Sequence, residues 1–296
     1  LLLKEIQNKK ITLIDYENIR DNLSRRYLGF GRFAGIVGCY NTLNLYLETL
    51  GEKPMPRAYE LNSYDKLKEN IVKRDFINAK ILLTGDGRVA KGSLELLNYT
   101  NIVKKNKDEY LQDHNSSIYC NLTTAEYVEE KTGNAFSLSH FIKYPNMYYS
   151  ILEKYMTNTN ILISAHYWDP KSPKMFEKKD INKFKNLKVI GDITCDVNGS
   201  IPTTYRSSTI QKPYYFLNYE NLEETNENNN SLAVMAVDNL PSELPKDSSE
   251  EFGNGMVNEV LPFIINEDDG RIKKATIIEN GEFLSNYIYV KKYMNN

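Results

Sequence analysis

Residues 79–97 read Ala-Lys-Ile-Leu-Leu-Thr-Gly-Asp-Gly-Arg-Val-Ala-Lys-Gly-Ser-Leu-Glu-Leu-Leu, and these types in this order suit phosphate binding by main chain. The apolar run from Lys80 to Thr84 fits a strand covered on both faces. Gly85, Gly87 and Gly92 follow, and apolar residues at helical spacing resume after Ser93. Gly85 permits a tight turn with positive φ. Gly87 lets backbone approach a pyrophosphate, and Gly92 lets the helix pack closely on the strand. The helix start offers unpaired N–H groups and a positive dipole end. Arg88 sits in the turn, where it could reach a phosphate. The spacing Gly-x-Gly-x-x-x-x-Gly is two residues longer than the usual fingerprint. A tight turn without a ligand has the same composition.

Other strand ends point to the same region. Apolar runs at 160–165, 188–193 and 232–237 read as buried strands. They lead into Tyr167, into Thr194-Cys195-Asp196 and into Asp238-Asn239-Leu240. In an open α/β sheet ligands bind beyond the carboxyl ends of the strands, so Gly85, Tyr167, Asp196 and Asp238 are expected to converge. Asp and Asn are also ordinary turn residues after strands. About 20 positions past the first glycine an acidic residue usually holds the ribose 2′-hydroxyl; here Lys104 and Lys105 stand at that distance. A basic pair suits a 2′-phosphate and leans toward NADP(H). Two solvated lysines at a strand end are the competing reading. His114 and His140 have no acidic or cysteine partner at metal spacing, and no metal site is expected.

Length and composition frame these residues. The 296 residues suffice for two domains and a large core. Hydrophobic content of 41% and charged content of 26% fit a globular chain, and a net charge of −2 implies no polyanion partner. No apolar run reaches membrane-spanning length, and the opening Leu-Leu-Leu-Lys-Glu is too short for a signal peptide. Cys39, Cys120 and Cys195 show no metal spacing, so reduced thiols and a cytoplasmic location are expected.

Several elements must position the glycine turn. Lys10 to Tyr16 alternates like a strand, and a start inside such a segment without Met implies a missing N-terminal portion. Asp15 to Leu23 reads as a turn and short helix. Phe33 to Leu50 is helical and stops at Gly51, before a loop with Pro54 and Pro56. Ser63 to Phe76 reads as an amphipathic helix with Tyr64, Leu67, Ile71 and Val72 on one side. Asn101 to Val103 is a second strand. Asn106 to Asn160 is polar, aromatic-rich and expected to hold short helices over a cleft. Glu220 to Ser231 reads as a mobile loop. A helix capped by Asp247 or Ser248 runs to about Ile265, followed by a strand at 275–278 and a short helix at 287–293.

The segments Gly29-Phe-Gly-Arg-Phe-Ala-Gly-Ile-Val-Gly, Thr84-Gly-Asp-Gly-Arg-Val-Ala-Lys-Gly, Gly191-Asp-Ile-Thr-Cys-Asp-Val-Asn-Gly-Ser-Ile and Val237-Asp-Asn-Leu-Pro-Ser-Glu-Leu-Pro resemble the lysine-forming saccharopine dehydrogenases. They look closer still to the lysine–ketoglutarate reductase half of the bifunctional aminoadipic semialdehyde synthases. Both belong to the alanine dehydrogenase and transhydrogenase superfamily. The resemblance covers nearly the whole chain, in order. It implies an α/β architecture: a Rossmann-type parallel-sheet lobe at residues 30–240, and a second, discontinuous α/β lobe from residues 1–29 and 241–296, with a cleft between them.

The resemblance also implies residue roles. Arg25 matches a cofactor-proximal arginine, and Arg26 matches one that holds a substrate carboxylate, where a guanidinium fork suits. Phe30 matches a substrate-contacting aromatic. Gly87, Arg88, Tyr167, Val237, Asp238, Asn239 and Leu240 match cofactor contacts, and Thr194, Cys195 and Asp196 match a segment against substrate and nicotinamide. In the family the acid–base Lys and His lie upstream of the segment matching Arg25-Arg26. No His precedes Arg25 here, so the catalytic pair is expected upstream of Leu1, and His166 matches no catalytic position. The implied activity interconverts lysine plus 2-oxoglutarate and saccharopine with NADP(H) or NAD(H). These small molecules are the expected partners, without nucleic acid or membrane and with homo-oligomer formation open. The alternatives are another amino-acid dehydrogenase of the alanine dehydrogenase type and a non-catalytic dinucleotide-binding partner subunit.

Overall fold

The computed structural model describes residues 2–22, 24–226 and 230–295. They form two compact units, Gly31–Lys246 and Leu1–Phe30 with Asp247–Asn296. The larger unit opens with helix α1, Gly31–Thr49. Gly35 to Leu47 of this helix are buried without a break, as expected of a helix apolar all round. Its buried Asn44 is satisfied: Nδ2 donates to the Met55 carbonyl (2.9 Å), and Oδ1 accepts from the Met55 N–H (2.7 Å). That pair pins the Pro54–Pro56 loop to the helix. The next helix, α2 (Tyr64–Val72), is capped by Ser63 and buries Tyr64, Leu67 and Ile71. Val72, expected on the same side as those three, is exposed.

The sheet of this unit has eight strands: β1 (Lys80–Thr84), β2 (Val103–Lys104), β3 (Ile118–Leu122), β4 (Ile161–Ser164), β5 (Val189–Asp192), β6 (Tyr214–Asn218), β7 (Glu224–Thr225) and β8 (Ser231–Met235). Their order is β7-β6-β8-β5-β4-β1-β3-β2. Strands β2, β3, β1, β4, β5 and β8 run parallel, and β6 and β7 add an antiparallel edge. Side chains alternate between two cores. Ile81, Leu83, Ile161 and Ile163 face α1 and helix α3 (Arg88–Leu97), while Leu82, Ile118, Leu162 and Ile190 face the segments between 110 and 201.

Three further expectations for this unit need correction. The segment between Asn106 and Asn160 contains β3, which lies directly beside β1. The polar loop expected at Glu220–Ser231 holds β7 and the start of β8; residues 227–229 lie outside the described residues. Gly92 serves helix–helix rather than helix–strand packing: a Cβ there would overlap the Arg32 carbonyl of α1, and a Cβ on Gly35 would overlap the Val89 carbonyl of α3. Ser93 Oγ donates to the Gly35 carbonyl (3.0 Å) and closes this contact.

In the smaller unit Leu13–Ile14 pairs antiparallel with Thr276–Glu279, which pairs with Glu282–Phe283. Ile19, Leu28, Val260, Ile272 and Ala275 form its core. The helix expected to reach Ile265 stops at Glu259; Val260 leaves helical geometry, and Leu261–Ile265 restarts with Pro262 in its first turn, where no N–H is needed.

Candidate functional site

The glycine turn is shaped by the neighbouring strand ends. Gly85 has φ +107°, and a Cβ there would lie 2.5 Å from the Ala165 carbonyl oxygen and 2.9 Å from the His166 Cα. The chain leaving β4 thus presses on the turn and excludes any side chain. The Gly85 N–H donates to the Leu122 carbonyl (2.9 Å), and Asn121 Nδ2 donates to the Gly85 carbonyl (2.8 Å), so β3 holds the turn from the other side. Gly87 is different. It caps α3 without a side-chain hydrogen bond, and nothing lies within 4 Å of where its Cβ would be. The space beside Gly87 at the start of α3 is therefore open, and a helix N-terminus suits an anion there.

Two cavities meet over this turn. One, about 340 Å³, is lined by Gly85, Asp86, Gly87 and Thr124, by Leu138, Phe141 and Ile142 of helix α4 (Leu138–Lys143), and by His166 and Tyr167 among others. The other, about 480 Å³, is lined by Gly87, Arg88, Val89, His166, Tyr167, Trp168, Thr194 and Asp196 among others. Gly87, His166 and Tyr167 belong to both.

A polar row underlies them. Thr84, Ser164 and Asp192 are register partners at the carboxyl ends of β1, β4 and β5, and all three are buried. Asp192 accepts from Thr194 Oγ1 (2.5 Å) and Thr204 Oγ1 (2.6 Å), which fixes the loop after β5; burial pushes its carboxyl above the ordinary range. Cys195 holds φ +48°, and its thiol donates to Asp238 Oδ1 (3.8 Å), tying that loop to the one after β8. Burial pushes this thiol up to about 12, so it remains a neutral thiol. His166 is buried, its Nδ1 lies 2.7 Å from Thr84 Oγ1, and burial pushes its pKa down to about 4. Its Nε2 is buried with no hydrogen-bond partner among the described residues.

The family profile "Alanine dehydrogenase/PNT, C-terminal domain" matches residues 114–292. The chain belongs to the alanine dehydrogenase/PNT family. It is 26% identical, over 98% of its length, to the alpha-aminoadipic semialdehyde synthase of Arabidopsis thaliana, covering 32% of that protein. It is 24% identical to the mitochondrial alpha-aminoadipic semialdehyde synthase of Bos taurus, over all of this chain and 38% of that one. Identity is 24% to the saccharopine dehydrogenase [NAD(+), L-lysine-forming] of Emericella nidulans, over 84% of this chain and 61% of that one. The chain thus spans about a third of the length of the first two relatives. Among solved structures an L-alanine dehydrogenase superposes with a TM-score of 0.56 over 99% of this chain and 72% of its own, at 14% identity. That likeness shows the alanine dehydrogenase/PNT fold.

Within this family fold the residues singled out from sequence fall into separate groups. Gly85, Gly87, Arg88, Tyr167, Thr194 and Asp196 line one or both cavities. Tyr167 is 89% exposed over them. Val237 and Leu240 are buried in the core, so only their main chain could meet a ligand, while Asp238 and Asn239 are exposed. Lys104 lies on β2, the outermost strand, with β3 between it and β1. It lines a different cavity, about 480 Å³, with Lys105, Lys107, Asn121 and Glu126 among others. Arg25, Arg26 and Phe30 belong to the smaller unit. Arg25 bonds Asp21 (2.7 Å), Arg26 pairs with Glu17 (3.2 Å), and Phe30 stacks on Phe252 at 4.8 Å. Sequence reading missed Asn121, Thr124 and α4 because β3 was hidden in a polar stretch. It missed Asp192 and Thr204 because their pairing spans a loop. The described residues hold no cluster of His, Cys, Asp and Glu able to take a metal, and no helix among them is long and apolar enough to cross a membrane.

Proposed function

We propose that the larger unit binds a nicotinamide dinucleotide across the glycine turn, and that the protein is an oxidoreductase of lysine metabolism. The observation that carries this reading is the pair of cavities sharing Gly87, His166 and Tyr167. A dinucleotide is two nucleosides joined by a pyrophosphate, and two cavities that share residues at a helix N-terminus suit that shape. The residues fit the group: the space beyond Gly87 is open, and the buried His166 Nε2 lacks a protein partner. When bound, the nicotinamide would supply or accept hydride. The chain's own residues would bind and orient. The start of α3 and Arg88 would face phosphate, and Thr194 and Asp196 would line the second cavity, in which we place the nicotinamide half.

The relatives named for alpha-aminoadipic semialdehyde and for saccharopine with L-lysine formation support lysine, 2-oxoglutarate and saccharopine as substrates. Arg25 is assigned to the cofactor, Arg26 to a substrate carboxylate and Phe30 to the same substrate. NADP(H) is assigned over NAD(H) because Lys104, Lys105 and Lys107 outnumber Asp108 and Glu126 around the cavity at the ends of β2 and β3. No acid–base residue is assigned within this chain. The test uses Trp168, the single tryptophan, which lines the second cavity. Titration with NADPH or NADH is expected to quench its emission and to excite nicotinamide fluorescence by energy transfer. Absence of both effects with both cofactors would remove the reading.

A further inference from the structure

We infer that His166 donates a hydrogen bond from Nε2 to the bridging pyrophosphate of the bound dinucleotide. This rests on the site proposed above and assigns it a contact from the strand side, opposite the helix N-terminus. The backbone of His166 touches Gly85, since a Cβ on that glycine would lie 2.9 Å from the His166 Cα. His166 lines both cavities, and among the described residues only Gly87 and Tyr167 share that position. The point where both cavities meet is the point a pyrophosphate must cross.

The imidazole is half satisfied. Thr84 Oγ1 lies 2.7 Å from Nδ1 and 3.5 Å from the Ile163 carbonyl, so the hydroxyl proton goes to the nearer partner. Nδ1 then accepts, and the single proton of the neutral ring sits on Nε2. A histidine with only a packing role would satisfy both nitrogens, because buried polar groups are hydrogen-bonded; here Nε2 has no partner. The ring stays neutral at working pH because it is buried.

The surroundings call for such a donor. Among the described residues the first cavity is lined by Asp86 and Asp169 and by no lysine or arginine, and the second by the cation Arg88. Phosphate held there depends on N–H donors more than on positive side chains. The start of α3 supplies donors from one side, and His166 Nε2 supplies one from the other.

The experiment titrates the full chain and its His166→Leu and His166→Gln variants with NADH, NADPH, ADP-ribose and adenosine, read by isothermal titration calorimetry. The Leu variant is expected to bind NADH, NADPH and ADP-ribose about tenfold more weakly, roughly the loss of one hydrogen bond to a charged group. The Gln variant, whose amide N–H can occupy the Nε2 position, is expected to recover most of that loss. Adenosine, which lacks the pyrophosphate, should bind all three proteins alike. In ¹⁵N-histidine spectra of the wild type, Nε2 should shift on addition of ADP-ribose while Nδ1 holds. Unchanged affinity in a folded Leu variant, or an unmoved Nε2 resonance at saturating ADP-ribose, would overturn the inference while leaving the dinucleotide site standing. Failure of the wild-type chain to bind any of the three pyrophosphates would instead bring down the site itself.

Discussion

Gly85 and Gly87 stand two residues apart and do opposite work. Gly85 is required by the fold, since φ +107° and the Ala165 carbonyl leave no room for a side chain. Gly85→Ala is expected to cost about 2 kcal/mol or more, read as a lower melting temperature. Gly87 is open, so Gly87→Ala should melt like the wild type yet bind dinucleotide severalfold more weakly, because the methyl occupies ligand space. A Gly87→Ala protein that melted early and bound normally would reverse the assignment. His166 adds a pH signature. Its pKa falls from 6.5 to about 4 on folding. Between those values the unfolded chain binds a proton that the native chain does not, so stability is present above pH 6.5 and is lost as pH falls toward 4. The full loss is on the order of 3 kcal/mol. Chemical denaturation at stepped pH should show that decline, and His166→Gln should flatten it.

The elements are coupled by close approach. α1 and α3 meet backbone to backbone at Gly35 and Gly92, with Ser93 donating across. Gly92→Ala must push the helices apart and is expected to cost about 1–3 kcal/mol, as overpacking does. Because α3 carries the anion-binding end, the same substitution should weaken dinucleotide binding without touching the cavities; an unshifted melting curve would show that the contact can relax. The strand order bears on cofactor choice. Counting from the first glycine selects Lys104, but β3 intervenes between its strand and β1. Lys105 and Lys107 pair with Glu109 (3.8 Å) and Glu126 (3.9 Å), across distances at which exposed ion pairs are weak. Lys104→Ala with Lys105→Ala is expected to lower NADPH affinity severalfold and leave NADH affinity unchanged, measured by parallel titration. Equal loss of both cofactors would place the lysines outside the 2′-phosphate site.

At the scale of the molecule, residues 31–246 hold both extended cores and every residue lining the two joined cavities. The smaller unit has its own sheet and core. Independent cores imply independent folding. Residues 31–246 expressed alone are expected to melt cooperatively and to quench Trp168 emission with dinucleotide as the whole chain does. Substrate recognition through Arg26 should be lost, read as no further response to saccharopine. A unit that failed to melt cooperatively would show that the core of the larger unit depends on the remaining residues.

Much of this molecule was legible in the sequence because its signals are local. An apolar run of five residues, the glycines that follow it and a helix cap at Ser63 are settled within a few residues of chain. Those signals gave the parallel strands, the glycine turn and α3, and the motif order pointed to the family. Tertiary structure decided what depends on neighbours distant in sequence. β3 is Ile-Tyr-Cys-Asn-Leu, with a polar residue inside and polar flanks; it is a strand because β1 and β2 supply hydrogen bonds on both sides. Gly92 looked like a helix–strand contact until α1 occupied that face. The same holds at the site: the unpaired Nε2 of His166, the clamp on Asp192 and the meeting of two cavities at Gly87 exist only once strand ends far apart in the chain lie side by side. Local sterics are written residue by residue, whereas hydrogen-bond satisfaction and the space left for a ligand are properties of the assembled sheet.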